Sequence, residues 1–178
     1  MSAARHTIRD GLVVGLIGYA AVALFYSGFD LLASRGPLHT VNLLGQAVFR
    51  GLRDASVLQF PLALDPGAAF AYNALHLVVA LAIGLIVSML VTLGERHPER
   101  RAVVRMVIVA GFVVTVVVVG LLTVPLRALV PWWSIVLANA LAAFFAGAWL
   151  LTSRPGLWQR LALGQAQMAT PVSASGSR

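Results

Sequence analysis

The stretch VVTVVVVGLLTV, residues 113–124, decides the fold class. In water such a β-branched run favours a strand. It lies, however, within a longer apolar run over 102–124, close to the ~20 residues a helix needs to cross ~30 Å of hydrocarbon. A lone strand in hydrocarbon leaves its backbone donors and acceptors unpaired, whereas a helix pairs them internally. A helix buried in a soluble bundle would show polar residues at helical spacing, and this stretch has none. The stretch therefore reads as a transmembrane helix.

Three further runs, over 11–33, 67–92 and 131–151, have similar length and character. The whole chain of 178 residues is 60% hydrophobic and only 11% charged, with mean hydropathy +0.89. A soluble domain carries roughly a quarter charged residues, so this apolar surface exceeds what such a domain hides. The expected class is all-α: a polytopic membrane protein whose four transmembrane helices form one four-helix bundle over 1–151. Residues 152–178 read as a cytoplasmic, largely disordered tail, because "GQAQMATPVSASGSR" is built from small and polar residues. The first run follows Arg5 and Arg9 but is longer than the 7 to 15 apolar residues of a signal core, and no A-x-A cleavage pattern follows it. It reads as a membrane anchor.

The net charge is +7 and the pI about 11.5. In a soluble chain that would point to nucleic acid, but here the basic residues, all of them arginine, sit at the ends of the apolar runs. No nucleic-acid partner is expected. With both termini in the cytoplasm, nine arginines (5, 9, 96, 100, 101, 105, 154, 160 and 178) lie inside, and only Arg35, Arg50, Arg53 and Arg127 lie outside. That asymmetry follows the positive-inside rule, and the expected location is an inner (cytoplasmic) membrane crossed several times. Arg105, one turn inside the third run, can extend its guanidinium back to the headgroups. Cysteine is absent, which excludes disulfides, thiolate metal sites and cysteine catalysis.

The longest segment outside the runs, 34–66, contains "HTVNLLGQAVFRGLRD" at 39–54. Val41, Leu44, Val48 and Leu52 recur at helical intervals, and Thr40 is placed to act as N-cap. These features predict an amphipathic interfacial helix on the outer surface, with Arg50 and Arg53 turned to headgroups or water. Trp132 and Trp133 belong to an interfacial aromatic belt.

The segment "FDLLASRGPLHTVNLLGQAVF", 29–49, resembles part of an uncharacterised family of small bacterial four-helix integral membrane proteins. In that family an aspartate near the end of the first helix precedes an Ala-Gly-Arg-Pro-Leu-His-Thr-Pro-like stretch and a Leu-Gly pair. Asp30, Arg35, Pro37, His39, Thr40, Leu44 and Gly45 match. Ser34 stands where the family has glycine, Gly36 is an extra residue, and Val41 replaces proline. The resemblance covers about an eighth of the chain and implies a topology without an activity.

Polar residues within the apolar runs mark the candidate site. At ~1.5 Å rise per residue, Tyr26, His76 and Asn139 fall at one level, roughly 10 to 12 Å below the outer boundary. Asp30 and Asn73 form a second layer one turn nearer the outside. Asparagine, histidine and tyrosine within membranes commonly hydrogen-bond between helices. Glycine and alanine at 11, 15, 18, 80, 84, 143 and 147 would let those helices approach. An intramembrane histidine near a carboxylate also suits proton handling or ligand contact. Three readings follow: a non-catalytic accessory or structural subunit, alone as a homo-oligomer or within a larger membrane complex; a binding protein for a small lipophilic ligand or cofactor at Tyr26, His76 and Asn139; and an intramembrane enzyme using Asp30 and His76. No resident cofactor or metal is expected, because zinc needs three or four ligands and only Asp30 and His76 are at hand. The cytoplasmic half, represented by "GLIVSML" and "AFFAGAWLL", reads as almost wholly apolar, which disfavours a polar path across the membrane.

Overall fold

The computed structural model describes residues 3–52, 54, 61–154 and 156. Expectations for Arg53, for "LWQRLAL" at 157–163 and for the rest of the tail fall outside those residues. Among the described residues the chain is helical, with no strand: α1 (Ala3–Leu32), α2 (His39–Phe49), α3 (Pro66–Arg96), α4 (Arg101–Leu122) and α5 (Trp132–Ser153). One-turn 3-10 segments lie at Pro98–Arg100 and Val124–Leu126. Four helices, all but α2, are long and apolar enough to cross a membrane, which suggests a multi-pass membrane protein.

α1, α3 and α5 run past the expected run ends because polar residues continue them, whereas α4 stops at Leu122, two residues short of its expected end. α1 begins eight residues before the apolar run and includes Asp10, which is buried. α3 begins at Pro66, with its first turn closed by Asp65, whose Oδ1 accepts from the Ala68 amide at 2.9 Å. α5 continues to Ser153, so the first residues assigned to the tail are helical.

α1 packs mainly against α3 and α5, and α4 touches α3 and α5 more thinly. The close α1 to α3 approach depends on absent side chains. A Cβ on Gly11 would lie 2.7 Å from the Leu85 Cα, one on Gly15 2.6 Å from the Leu81 Cα, and one on Gly84 would overlap the Gly11 carbonyl. Gly18 and Gly147 face open space, so they are not part of these contacts. Val14, Val91 and Leu150 form a buried cluster joining α1, α3 and α5.

α2 exists where the sequence predicts a helix, but its buried face is turned by about one residue, or ~100°. Thr40, Leu43 and Ala47 are buried together with Asn42, Gly45 and Gln46, while Val48 is 49% exposed. Leu43 and Ala47 pack on Leu126, Val130 and Ile135, so α2 lies over the α4–α5 turn. Gly45 meets the Ala68 backbone with no room for a side chain. The pattern misleads because the polar residues on this face are satisfied internally. Asn42 Nδ2 donates to the Ala63 carbonyl at 3.0 Å, and Gln46 Nε2 donates to the same carbonyl at 2.8 Å. Asn42 Oδ1 accepts from the Asp65 amide at 2.9 Å and from Gln46 Nε2 at 3.0 Å.

The turn from α1 to α2 is a Schellman closure: the Arg35 amide donates to the Asp30 carbonyl at 2.8 Å and the Ser34 amide to the Leu31 carbonyl at 3.0 Å. Ser34 takes φ 56°, the left-handed conformation that glycine adopts at less cost.

Candidate functional site

Tyr26, Asn73 and His76 meet around one small cavity of about 30 Å³, whose walls also include Tyr72 and Thr40. That volume is about one water molecule's share of liquid, well below the ~300 Å³ at which ligand pockets begin. His76 is held by rings: the Tyr19 centroid is 5.2 Å away and the Tyr72 centroid 6.3 Å. Tyr19 also donates its hydroxyl to Asn73 Oδ1 at 3.3 Å, and Asn73 Nδ2 reaches the Ala69 carbonyl one turn back at 3.3 Å. The Tyr19 contacts join α1 to α3.

Two of the five selected residues have other partners. Asn139 donates to the Ile135 carbonyl of its own helix at 2.8 Å and is not among the cavity-lining residues. α5 instead reaches Tyr26 through Ser134, whose hydroxyl shares a 3.4 Å hydrogen bond with the tyrosine. Asp30 is fully buried, and both carboxylate oxygens are taken by Thr40: Oδ2 accepts from the Thr40 amide and Oδ1 from its hydroxyl, each at 2.7 Å. Thr40 is therefore not the N-cap of α2. Leu38 holds that position without a side-chain bond, and Asp30 supplies the capping oxygen from the end of α1.

Tyr19 and Ser134 were missed by sequence reasoning. Tyr19 is readable in retrospect, since Gly11, Gly15, Tyr19, Tyr26 and Asp30 recur at intervals of four and seven along one face of α1. Ser134 beside the Trp132-Trp133 pair carries no comparable signal.

A second polar cluster lies at the opposite end, which carries Ala3, Arg96, Arg101 and Arg154. Arg154, at the end of α5, places its guanidinium between α1 and α3. Nη2 is 2.8 Å and Nε 3.0 Å from Asp10 Oδ2, and Nη1 is 2.6 Å from Glu95 Oε2. Ser88 and Thr92 complete the surround, at 3.4 and 3.3 Å from the guanidinium. Ser88 donates to the Thr7 carbonyl at 2.8 Å. Asp10 Oδ1 is buried without a hydrogen bond and lies 3.6 Å from the Arg9 guanidinium. The expectation of an almost wholly apolar half is corrected by this cluster. Ser88, Thr92 and Glu95 are spaced i, i+4, i+7 on one face of α3, which is the signal that was available.

At the α2 end, Arg50 is exposed, with 53% of its side chain accessible, and pairs with a carboxylate. Its Nε lies 2.8 Å from Asp65 Oδ2 and its Nη2 3.4 Å from Oδ1. The Arg50 guanidinium and the Ala68 amide together hold the Asp65 carboxyl down at about 2. Burial keeps the His39 imidazole below its ordinary value, outweighing the nearby Asp30 charge.

Among the described residues no three histidine, aspartate or glutamate side chains come together as metal ligands. Comparisons with protein families, with curated proteins and with solved structures found no match. The architecture and its two polar clusters are what the functional reading rests on.

Proposed function

We propose that this chain is an inner-membrane protein with both termini in the cytoplasm, acting as a non-catalytic accessory or structural subunit in a homo-oligomer or larger membrane complex. The observation that carries the reading is how the polar groups of the Tyr26 and His76 level are used. Asn73 bonds Tyr19 and Tyr26 bonds Ser134, linking α1 to α3 and to α5 beside a cavity of about 30 Å³, while His76 packs on the Tyr19 and Tyr72 rings. Interhelical hydrogen bonds of this kind contribute about 0.6 to 2 kcal/mol each, a stabilising role that requires no bound substrate. The enzyme reading needs a carboxylate free to work with His76, and both Asp30 oxygens are occupied by Thr40. The lipophilic-ligand reading needs more space than the cavity offers.

The orientation is supported by charge. Among the described residues seven arginines lie at the Arg154 end and three, Arg35, Arg50 and Arg127, at the α2 end. Single cysteines placed at Pro37 and at His97 test it, because the chain has no cysteine of its own. A membrane-impermeant maleimide should label Pro37→Cys from the periplasmic side and His97→Cys only after the membrane is opened.

Native mass spectrometry after extraction in a mild detergent tests the role. The expected masses are those of the polypeptide, its multiples or its complex with other subunits, unchanged in His76→Gln. Additional small-molecule mass that disappears in both His76→Gln and His76→Leu would establish the ligand reading instead.

A further inference from the structure

An open groove of about 380 Å³ lies between the first turns of α1 and the last turns of α3, at the Arg154 end. Its walls are apolar: Ile8, Met89 and Leu93 line it, and Ile8 and Met89 are 48% and 55% exposed. Two hydroxyl residues, Thr7 and Thr92, and two basic ones, Arg96 and His97, complete the lining. Arg96 is exposed and makes no ion pair among the described residues. The carboxylates at this end are engaged elsewhere. Arg154 holds Asp10 and Glu95, and Glu99 pairs with His97 at 3.2 Å and lies 4.0 Å from Arg100.

We propose that this groove binds one anionic phospholipid, with an acyl chain between α1 and α3 and its phosphate at Arg96. The inference rests on the reading of the long helices as membrane-spanning and adds a ligand class to it. Charge complementarity selects the occupant. An anionic headgroup meets an uncompensated guanidinium on a surface with a surplus of arginine, and basic pockets between transmembrane helices suit such headgroups. A zwitterionic lipid would bring its own cation toward Arg96. A water-soluble polyanion would leave the Ile8, Met89 and Leu93 walls wet.

The full chain, purified in a mild non-ionic detergent, is titrated with palmitoyl-oleoyl phosphatidylglycerol and with the matching phosphatidylcholine, and bound lipid is counted by native mass spectrometry. One phosphatidylglycerol should bind with a Kd roughly fivefold below that of phosphatidylcholine, the scale expected of one arginine near an anionic headgroup. Arg96→Gln should remove the preference, Arg96→Lys should retain it, and Met89→Trp, which fills the groove, should weaken binding of both lipids. The pair Arg5→Gln and Arg9→Gln, at the same end but outside the groove lining, should leave the preference intact. Equal affinity for the two lipids would overturn the site, as would equal loss in the Arg5/Arg9 pair and in Arg96→Gln, which would signify diffuse surface charge. A dimer whose formation Met89→Trp abolishes would assign the groove to a second copy and also overturn it. Alkaline carbonate separates this outcome from failure of the membrane reading: a chain that resists extraction yet shows no lipid preference loses only the site, whereas a chain released from the membrane loses both.

Discussion

Asp30 at the end of α1 accepts two 2.7 Å hydrogen bonds from Thr40 in the first turn of α2. One buried carboxylate thereby fastens two helices, using its backbone carbonyl to close the first and its side chain to cap the second. Most residues quoted for the family resemblance lie at this corner. Thr40 and Gly45 make its contacts to α1 and α3, and Arg35 adds a 3.4 Å bond to the Leu129 carbonyl of the α4–α5 turn. The resembling segment is thus a structural joint between the first three helices.

Removing this joint leaves a buried amide without its acceptor. Asp30→Ala should destabilise the protein in detergent by about 2–4 kcal/mol, since bonds to a charged group are worth ~1.5–3 kcal/mol each. Thr40→Val keeps the amide bond and loses only the hydroxyl, so its cost should be smaller, about 1–2 kcal/mol. A double-mutant cycle by denaturant unfolding should give a coupling energy close to that hydroxyl share. Strict additivity would mean that the carboxylate and the hydroxyl do not interact in solution.

The helix contacts make a paired expectation for glycines. Gly15→Ala and Gly84→Ala introduce a Cβ into opposing backbone and should each cost ~1–3 kcal/mol, the usual range for overpacking. Gly18→Ala and Gly147→Ala meet nothing within 4 Å and should be neutral or slightly stabilising through better helix propensity. Thermal aggregation midpoints of the four variants, measured side by side, distinguish the two groups.

Arg154 separates two carboxylates that would otherwise face each other in a nearly closed space; its side chain is 14% exposed and that of Asp10 7%. Arg154→Gln should cost ~3–5 kcal/mol, the scale for breaking a buried pair from one side. The triple change Asp10→Asn, Glu95→Gln and Arg154→Gln removes the uncompensated charges along with the cation, and should be less damaging than Arg154→Gln alone. Comparable damage in both would show that the fit of the arginine, rather than charge balance, holds the three helices here.

Asp65 makes an acid limb of stability expected. Its folded-state carboxyl titrates at about 2 against 3.8 for the free side chain. The unfolded chain therefore takes up a proton first, so the stabilisation is complete above about pH 5 and is lost as pH falls from 4 toward 2. Arg50→Gln removes the principal cause and should flatten that limb in unfolding midpoints measured against pH. His39, depressed by burial, acts in the same direction at higher pH, with its share lost on acidification below its ordinary value of 6.5. An acid limb unchanged in Arg50→Gln would separate it from the Asp65 pair.

The four long helices were legible in the sequence because a membrane-spanning helix is specified locally: about 20 apolar residues and internal hydrogen bonding suffice, whatever the neighbours. Tyr26, Asn73 and His76 were singled out by counting residues along each helix, and the three line one small cavity. Rotation about each helix axis was decided only by tertiary contact. Asn139 occupies a plausible depth and turns to its own backbone, while Tyr19 and Ser134 supply the contacts to α3 and α5. In α2 the internal bonds of Thr40, Asn42 and Gln46 override the apolar pattern and turn another face inward. The Arg154 cluster is the extreme case: its charges come from three helix ends far apart in the chain, and only packing makes one guanidinium neighbour both carboxylates. Local hydrophobicity determines that each helix forms, whereas steric fit and the need to satisfy buried polar groups decide which faces meet.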